Sequence, residues 1–99
     1  MLYSIMSQDV AYSLPARTKV RKLHLARLKD LLKQKRLILA GPHPILNPEH
    51  PDEAGFSGSL IVAEFPSLEE AEAWARADPY VAIGVSASVQ VKPFKQILP

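Results

Sequence analysis

The sequence contains no cysteine. That excludes disulfides, thiolate nucleophiles and thiolate metal ligands, and it fits a reducing compartment. Long hydrophobic runs are missing as well: no apolar stretch reaches the roughly 18–20 residues of a membrane-spanning helix. The segment from Met1 to Asp9 has no basic stretch leading into an apolar one. A secretory signal is therefore not expected, and a cytoplasmic protein with no membrane partner is. Glycine is scarce, with 4 residues against 9 prolines. The nearest approach to a phosphate-binding loop is Gly55-Phe56-Ser57-Gly58, whose backbone N–H groups could face an anion. It does not lead into a helix, and no Ser-His-Asp nucleophile elbow is present.

What is present is ordinary in amount and uneven in placement. The 99 residues suffice for one domain, expected to span residues 1–99. The net charge is only +2, but the bases cluster between Arg17 and Arg36 and the acids between Glu49 and Asp78. The basic stretch lacks the aromatic interleaving of a single-strand binder, so it reads as a solvated helix face and no nucleic-acid partner is expected.

Leu2 to Ser7 reads as a strand. Ser13 before Leu14-Pro15 is a helix start, and no Gly or Pro interrupts the chain from there to about Lys35. Leu37 to Ala40 is a second, short strand ended by Gly41-Pro42. Pro42 to Gly58 reads as a long loop of the kind that covers a site or meets a partner. Gly58 to Phe65 is the third strand. Ser67 and Glu70 form a capping box for a second helix, which runs to about Ala77 and closes at Asp78-Pro79. Val85 to Val91 alternates as the last strand. The order βαββαβ predicts an α+β, ferredoxin-like sandwich with both helices on one sheet face. The bare face then calls for a homodimer that packs two sheets together.

The helices carry residues that do not belong to a core. On a helical wheel, Leu14, Val20, Leu25, Leu28, Leu31 and Leu32 form the apolar side of the first helix. Arg17, Arg21 and His24 fall within the same arc at i, i+4 and i+7. The arginines either bury their stems and keep their charges in water or line a polar cavity. His24 is too short to reach water and must find partners inside. It is either a hydrogen-bonded core histidine or a functional base, acid or nucleophile. On the second helix, Leu68, Ala71 and Ala75 mark the inner face, and the next position along it is Asp78. A carboxylate at a helix C-terminus opposes the dipole, although Asp-Pro is also a common turn. An inward carboxylate would fix an imidazole tautomer and stabilise its cation. His43 and His50 could join His24 around a metal, but their spacing matches no familiar ligand motif, so neither metal nor cofactor is expected.

Seven segments together resemble the YciI-like family, also called the YCII-related domain. They are Met1-Leu2-Tyr3, Val20 through Leu28, Ala40-Gly41-Pro42, Gly55 through Ser59, Phe65 through Ala71, Ala77-Asp78-Pro79-Tyr80 and Val91 through Lys95. The resemblance covers nearly the whole chain in order. It implies a ferredoxin-like fold, a dimeric α+β barrel and a cavity holding a histidine and an aspartate as a catalytic pair. His24 matches the first, and Asp78, in the Asp-Pro-Tyr segment, matches the second. The family includes a dehydrochlorinase acting on a chlorinated hydroquinone, and in fold it is similar to muconolactone-isomerase-like proteins.

The expectation is a small homodimeric enzyme. His24 acts as base or acid, Asp78 orients it, and a small anionic substrate is held by Arg17, Arg21, Tyr80 and backbone N–H groups at Gly58 and Ser59. The alternatives are a histidine that transiently accepts phosphate, and a ligand-binding or regulatory module without turnover.

Overall fold

Alternation of apolar residues with period two places four strands where the sequence predicts them, and two long helices cover one face. The computed structural model describes residues 1–46, 49 and 55–99. The order is β1 (Leu2–Asp9), α1 (Leu14–Lys33), β2 (Leu37–Pro44), β3 (Phe56–Glu64), α2 (Leu68–Arg76), α3 (Pro79–Ala82) and β4 (Ser86–Phe94). The sheet order is β2-β3-β1-β4 with every neighbour antiparallel. This is the split βαβ arrangement of a ferredoxin-like fold.

Register decides which residues meet the helices. Tyr3, Ile5 and Ser7 pair with Ala63, Ile61 and Ser59, and these point to the helical layer, where Leu28, Leu31, Ala71 and Ala75 close the core. The opposite face carries Met6, Leu60 and Val62, together with the exposed Leu39 and Phe94. Among the described residues, no helix is long and apolar enough to cross a membrane.

Several boundaries differ from the sequence expectation, each for a local reason. Strand β2 does not stop at Ala40 but continues through Gly41-Pro42-His43-Pro44. It lies at the edge of the sheet, where a proline nitrogen can face outward without breaking a ladder bond. The segment from Phe56 to Gly58 also belongs to a strand, so it is not an anion-binding loop. The rest of the expected long loop lies largely outside the described residues.

Ser13 precedes α1, but its side chain makes no cap. Its hydroxyl donates instead to Oδ2 of Asp9 at 2.6 Å. Leu32, placed on the apolar side by the wheel, is 60% exposed. The helix ends in a Schellman turn: Arg36 N–H donates to the Leu31 carbonyl and Lys35 N–H to that of Leu32. Lys35 takes the left-handed position with φ 60°. Helix α2 starts as predicted, with the Ser67 hydroxyl accepting from Glu70 N–H.

Candidate functional site

Three turns of α1 bring Arg17, Arg21 and His24 to one side of the helix, facing the segment that joins α2 to α3. Arg17 and His24 are buried and Arg21 is exposed. They line one cavity of about 180 Å³, whose walls also include Leu14, Phe56 and Tyr80. A space of about 150 Å³ is known to accept benzene, so one small ring fits here.

Asp78 is not the mismatched helix end that periodicity suggested. It follows α2, but its extended backbone (φ −66°, ψ 138°) makes it the N-cap of α3, and its Oδ1 accepts from Tyr80 N–H at 2.9 Å. A negative charge at a helix start is favourable. From this position the carboxylate reaches His24: Nδ1 lies 2.8 Å from Oδ2 and 3.0 Å from Oδ1. Burial is the largest single influence on Asp78 and pushes its pKa up. The His24 hydrogen bond, the Tyr80 N–H and the charges of His24 and Arg27 together outweigh it and hold the carboxyl below its usual range. An ionised carboxylate only accepts, so Nδ1 carries the shared proton. Nε2 has no hydrogen-bond partner among the described residues.

The imidazole lies flat on Tyr80, with centroids 4.2 Å apart and planes 17° from parallel. The Arg17 guanidinium also sits against Tyr80, 4.8 Å from its centroid, and 5.1 Å from that of Phe56. Tyr80 is thus held by its own backbone and by two side chains of α1. Burial pushes the phenol up, and the nearby Arg17 and Arg21 charges oppose that only in part. The phenol stays protonated and can donate.

Arg17 does not keep its charge in water. Its side chain is 7% exposed and pairs with Asp9, itself 1% exposed, through two bonds of 2.6 and 3.0 Å. A third bond runs from Nη2 to the Gly58 carbonyl at 3.1 Å. Gly58 therefore presents an acceptor to a cation, and a Cβ there would stand 2.0 Å from the Ser7 carbonyl oxygen. The Ser59 hydroxyl shares a hydrogen bond of 2.7 Å with Ser7 and forms part of the cavity wall. Arg21 has no ion pair or hydrogen bond among the described residues.

The histidines do not converge. His43 lies in a hollow on the bare sheet face with Met6, Gln8 and Gln90, on the other side of the sheet from His24, and His50 is outside the described residues. No cluster of three metal-ligating side chains occurs among the described residues.

Sequence reasoning missed four residues of this region: Asp9, Phe56, Arg27 and Trp74. The signal for Asp9 was available, because Tyr3, Ile5, Ser7 and Asp9 share one strand face by period two. Arg27 stands one turn from His24 on the same helix.

The YCII-related domain family model matches residues 1–95. Protein YciI of Escherichia coli is 56% identical over 97 residues, covering 98% of this chain and 99% of that protein. An uncharacterised protein of Haemophilus influenzae is 50% identical over the same length, with the same coverage. Among solved structures, 5-chloro-2-hydroxyhydroquinone dehydrochlorinase from Burkholderia phenoliruptrix, in complex with 2,5-dihydroxybenzoquinone, superposes with a TM-score of 0.84. It is 27% identical, and the match covers 96% of this chain and 94% of that one.

Proposed function

The chain belongs to the YCII-related domain family, and from that premise we propose a cofactor-independent enzyme that moves a proton on a small, flat, anionic ring. The observation that carries the reading is the pairing of Nδ1 with Asp78 on a histidine, His24, that lines the cavity, and in this reading Nε2 is the acceptor that meets the substrate. A proton passes from a substrate C–H or O–H to Nε2. The electron pair left behind moves into the ring. It then expels an anion, which is elimination, or is reprotonated at another carbon, which is isomerisation. Asp78 stabilises the imidazolium that forms; in isomerisation His24 gives the proton to the new carbon, and in elimination it releases it to solvent as the counterpart of the expelled anion.

The charges divide the binding work. Arg17 is already neutralised by Asp9, so its role is to support Tyr80 and Gly58. Arg21 is the cavity cation without an ion-pair partner among the described residues, and it takes the substrate's phenolate or carboxylate. Tyr80 donates to a substrate oxygen from the same wall. The superposed dehydrochlorinase acts on a chlorinated hydroxyhydroquinone and its structure holds a dihydroxybenzoquinone. This supports a ring of that size and charge. The bare sheet face, with Leu39 and Phe94 exposed on it, supports a homodimer of the single 1–99 domain, in which two sheets pack face to face, and the lack of cysteine fits a cytoplasmic location.

The test is turnover of a panel of small phenols, enols and 5-chloro-2-hydroxyhydroquinone in deuterium oxide, by the wild type and His24→Gln. Deuterium incorporation or chloride release that falls at least about 100-fold in the variant is expected. Equal rates in the two proteins across the panel would overturn the reading.

A further inference from the structure

Arg27 lies outside the cavity but touches the pair that serves it. Its Nη1 donates to Asp78 Oδ2 at 3.3 Å, the same oxygen that His24 Nδ1 approaches at 2.8 Å. Its Nη2 donates to the Trp74 carbonyl at 2.8 Å, and its guanidinium carbon stands 4.3 Å from the centroid of the Trp74 indole. Trp74 is itself packed on Phe65 of the core, 5.7 Å between centroids. The guanidinium is therefore fixed from two directions before it meets Asp78. One fork joins α1, the last turn of α2 and the cap of α3.

We propose that Arg27 is a positioning residue for the His24–Asp78 pair, clamping the carboxylate in the rotamer that receives Nδ1. This rests on the reading of His24 as the proton-transfer group. The charged and titratable groups against Asp78 are His24 and Arg27 from α1 and Tyr80 from its own turn. Tyr80 contributes an N–H dipole and a protonated phenol. Arg27 is thus the one permanent cation on this carboxylate among the described residues. Its presence has two consequences. The carboxylate cannot rotate to solvent without giving up a charge-assisted bond. In addition, Asp78 meets two donors of the same helix, His24 and Arg27, so its orientation is set from α1 at two points.

The experiment needs no substrate, so its failure is distinguishable from failure of the enzymatic reading. The carboxyl carbon of Asp78 is followed by NMR through an acid titration in the wild type, Arg27→Met and Arg27→Lys, with thermal unfolding as the check on folding. The midpoint of Asp78 is expected to rise in Arg27→Met and to return most of the way in Arg27→Lys. A midpoint unchanged in Arg27→Met overturns the proposal. If Arg27→Met does not fold, Arg27→Gln, which keeps a donor without the charge, carries the same two outcomes. On a turned-over substrate, Arg27→Met is further expected to lower kcat at least 10-fold with KM within about twofold. A loss confined to KM contradicts a positioning role.

Discussion

His24 and Asp78 stand 54 residues apart in the chain and 2.8 Å apart in the structure. The contact exists because two helices lie on one sheet face and because Asp78 caps a one-turn helix with its carboxylate turned toward α1. The carboxylate has three sets of donors, the Tyr80 N–H, His24 and Arg27. They make it a structural cap and, in the function proposed, the orienting half of a proton-transfer pair.

The first prediction concerns acid. The carboxyl of Asp78 is held below its ordinary value of 3.8 in the folded protein. A depressed carboxyl favours the folded state at pH values above its unfolded pKa, and that contribution disappears as pH falls through the folded value. Asp78→Asn is expected to cost about 1.5–3 kcal/mol in urea unfolding at pH 7. The difference from wild type should then shrink steadily below about pH 4. A difference that stays constant down to pH 2.5 would contradict the assignment.

A second prediction follows from the buried ion pair of Arg17 and Asp9. Removing one partner leaves a charge stranded among apolar groups. Arg17→Met is expected to cost about 3–5 kcal/mol, because Asp9 is then left with Ser13 alone. The double variant Asp9→Asn with Arg17→Met should cost clearly less than the sum of the singles. Urea unfolding of the three proteins decides it, and an Arg17→Met cost below about 1 kcal/mol would show that the pair is solvated instead.

Backbone approach gives a third. An added methyl at Gly58 meets the Ser7 carbonyl oxygen at 2.0 Å, whereas one at Gly41 meets nothing within 4 Å. Gly58→Ala should therefore destabilise by about 3 kcal/mol or more, while Gly41→Ala stays within about 0.5 kcal/mol. Thermal unfolding of both checks this, and equal melting temperatures would refute the close approach.

How much of this the residues announced depends on the range of the interaction. His24 was legible because it breaks the apolar arc of α1, a local signal, whereas Asp78 was reached by extending the inner face of α2 past its end, although it caps α3. The strand order was legible from element order and the rule that split βαβ units pack their helices together. The ion pair of Arg17 with Asp9 was harder, since nothing local links a strand end to a helix eight residues later. The extension of β2 through two prolines was hidden because edge position is a property of the whole sheet, not of the segment. Arg27 gave no local signal, because its partners Trp74 and Asp78 come from the other half of the chain.

The account turns on His24 Nε2 facing a ligand in the cavity while Nδ1 stays bound to Asp78. The most direct measurement is the nitrogen-15 NMR spectrum of the His24 ring during a titration with 2,5-dihydroxybenzoquinone, in the wild type and Arg21→Met. The predicted result is a saturable shift of the Nε2 signal, a proton that remains on Nδ1, and binding weakened at least about 10-fold in Arg21→Met, which corresponds to about 1.4 kcal/mol. Absence of binding at millimolar ligand, or saturation that leaves Nε2 unmoved, would contradict it.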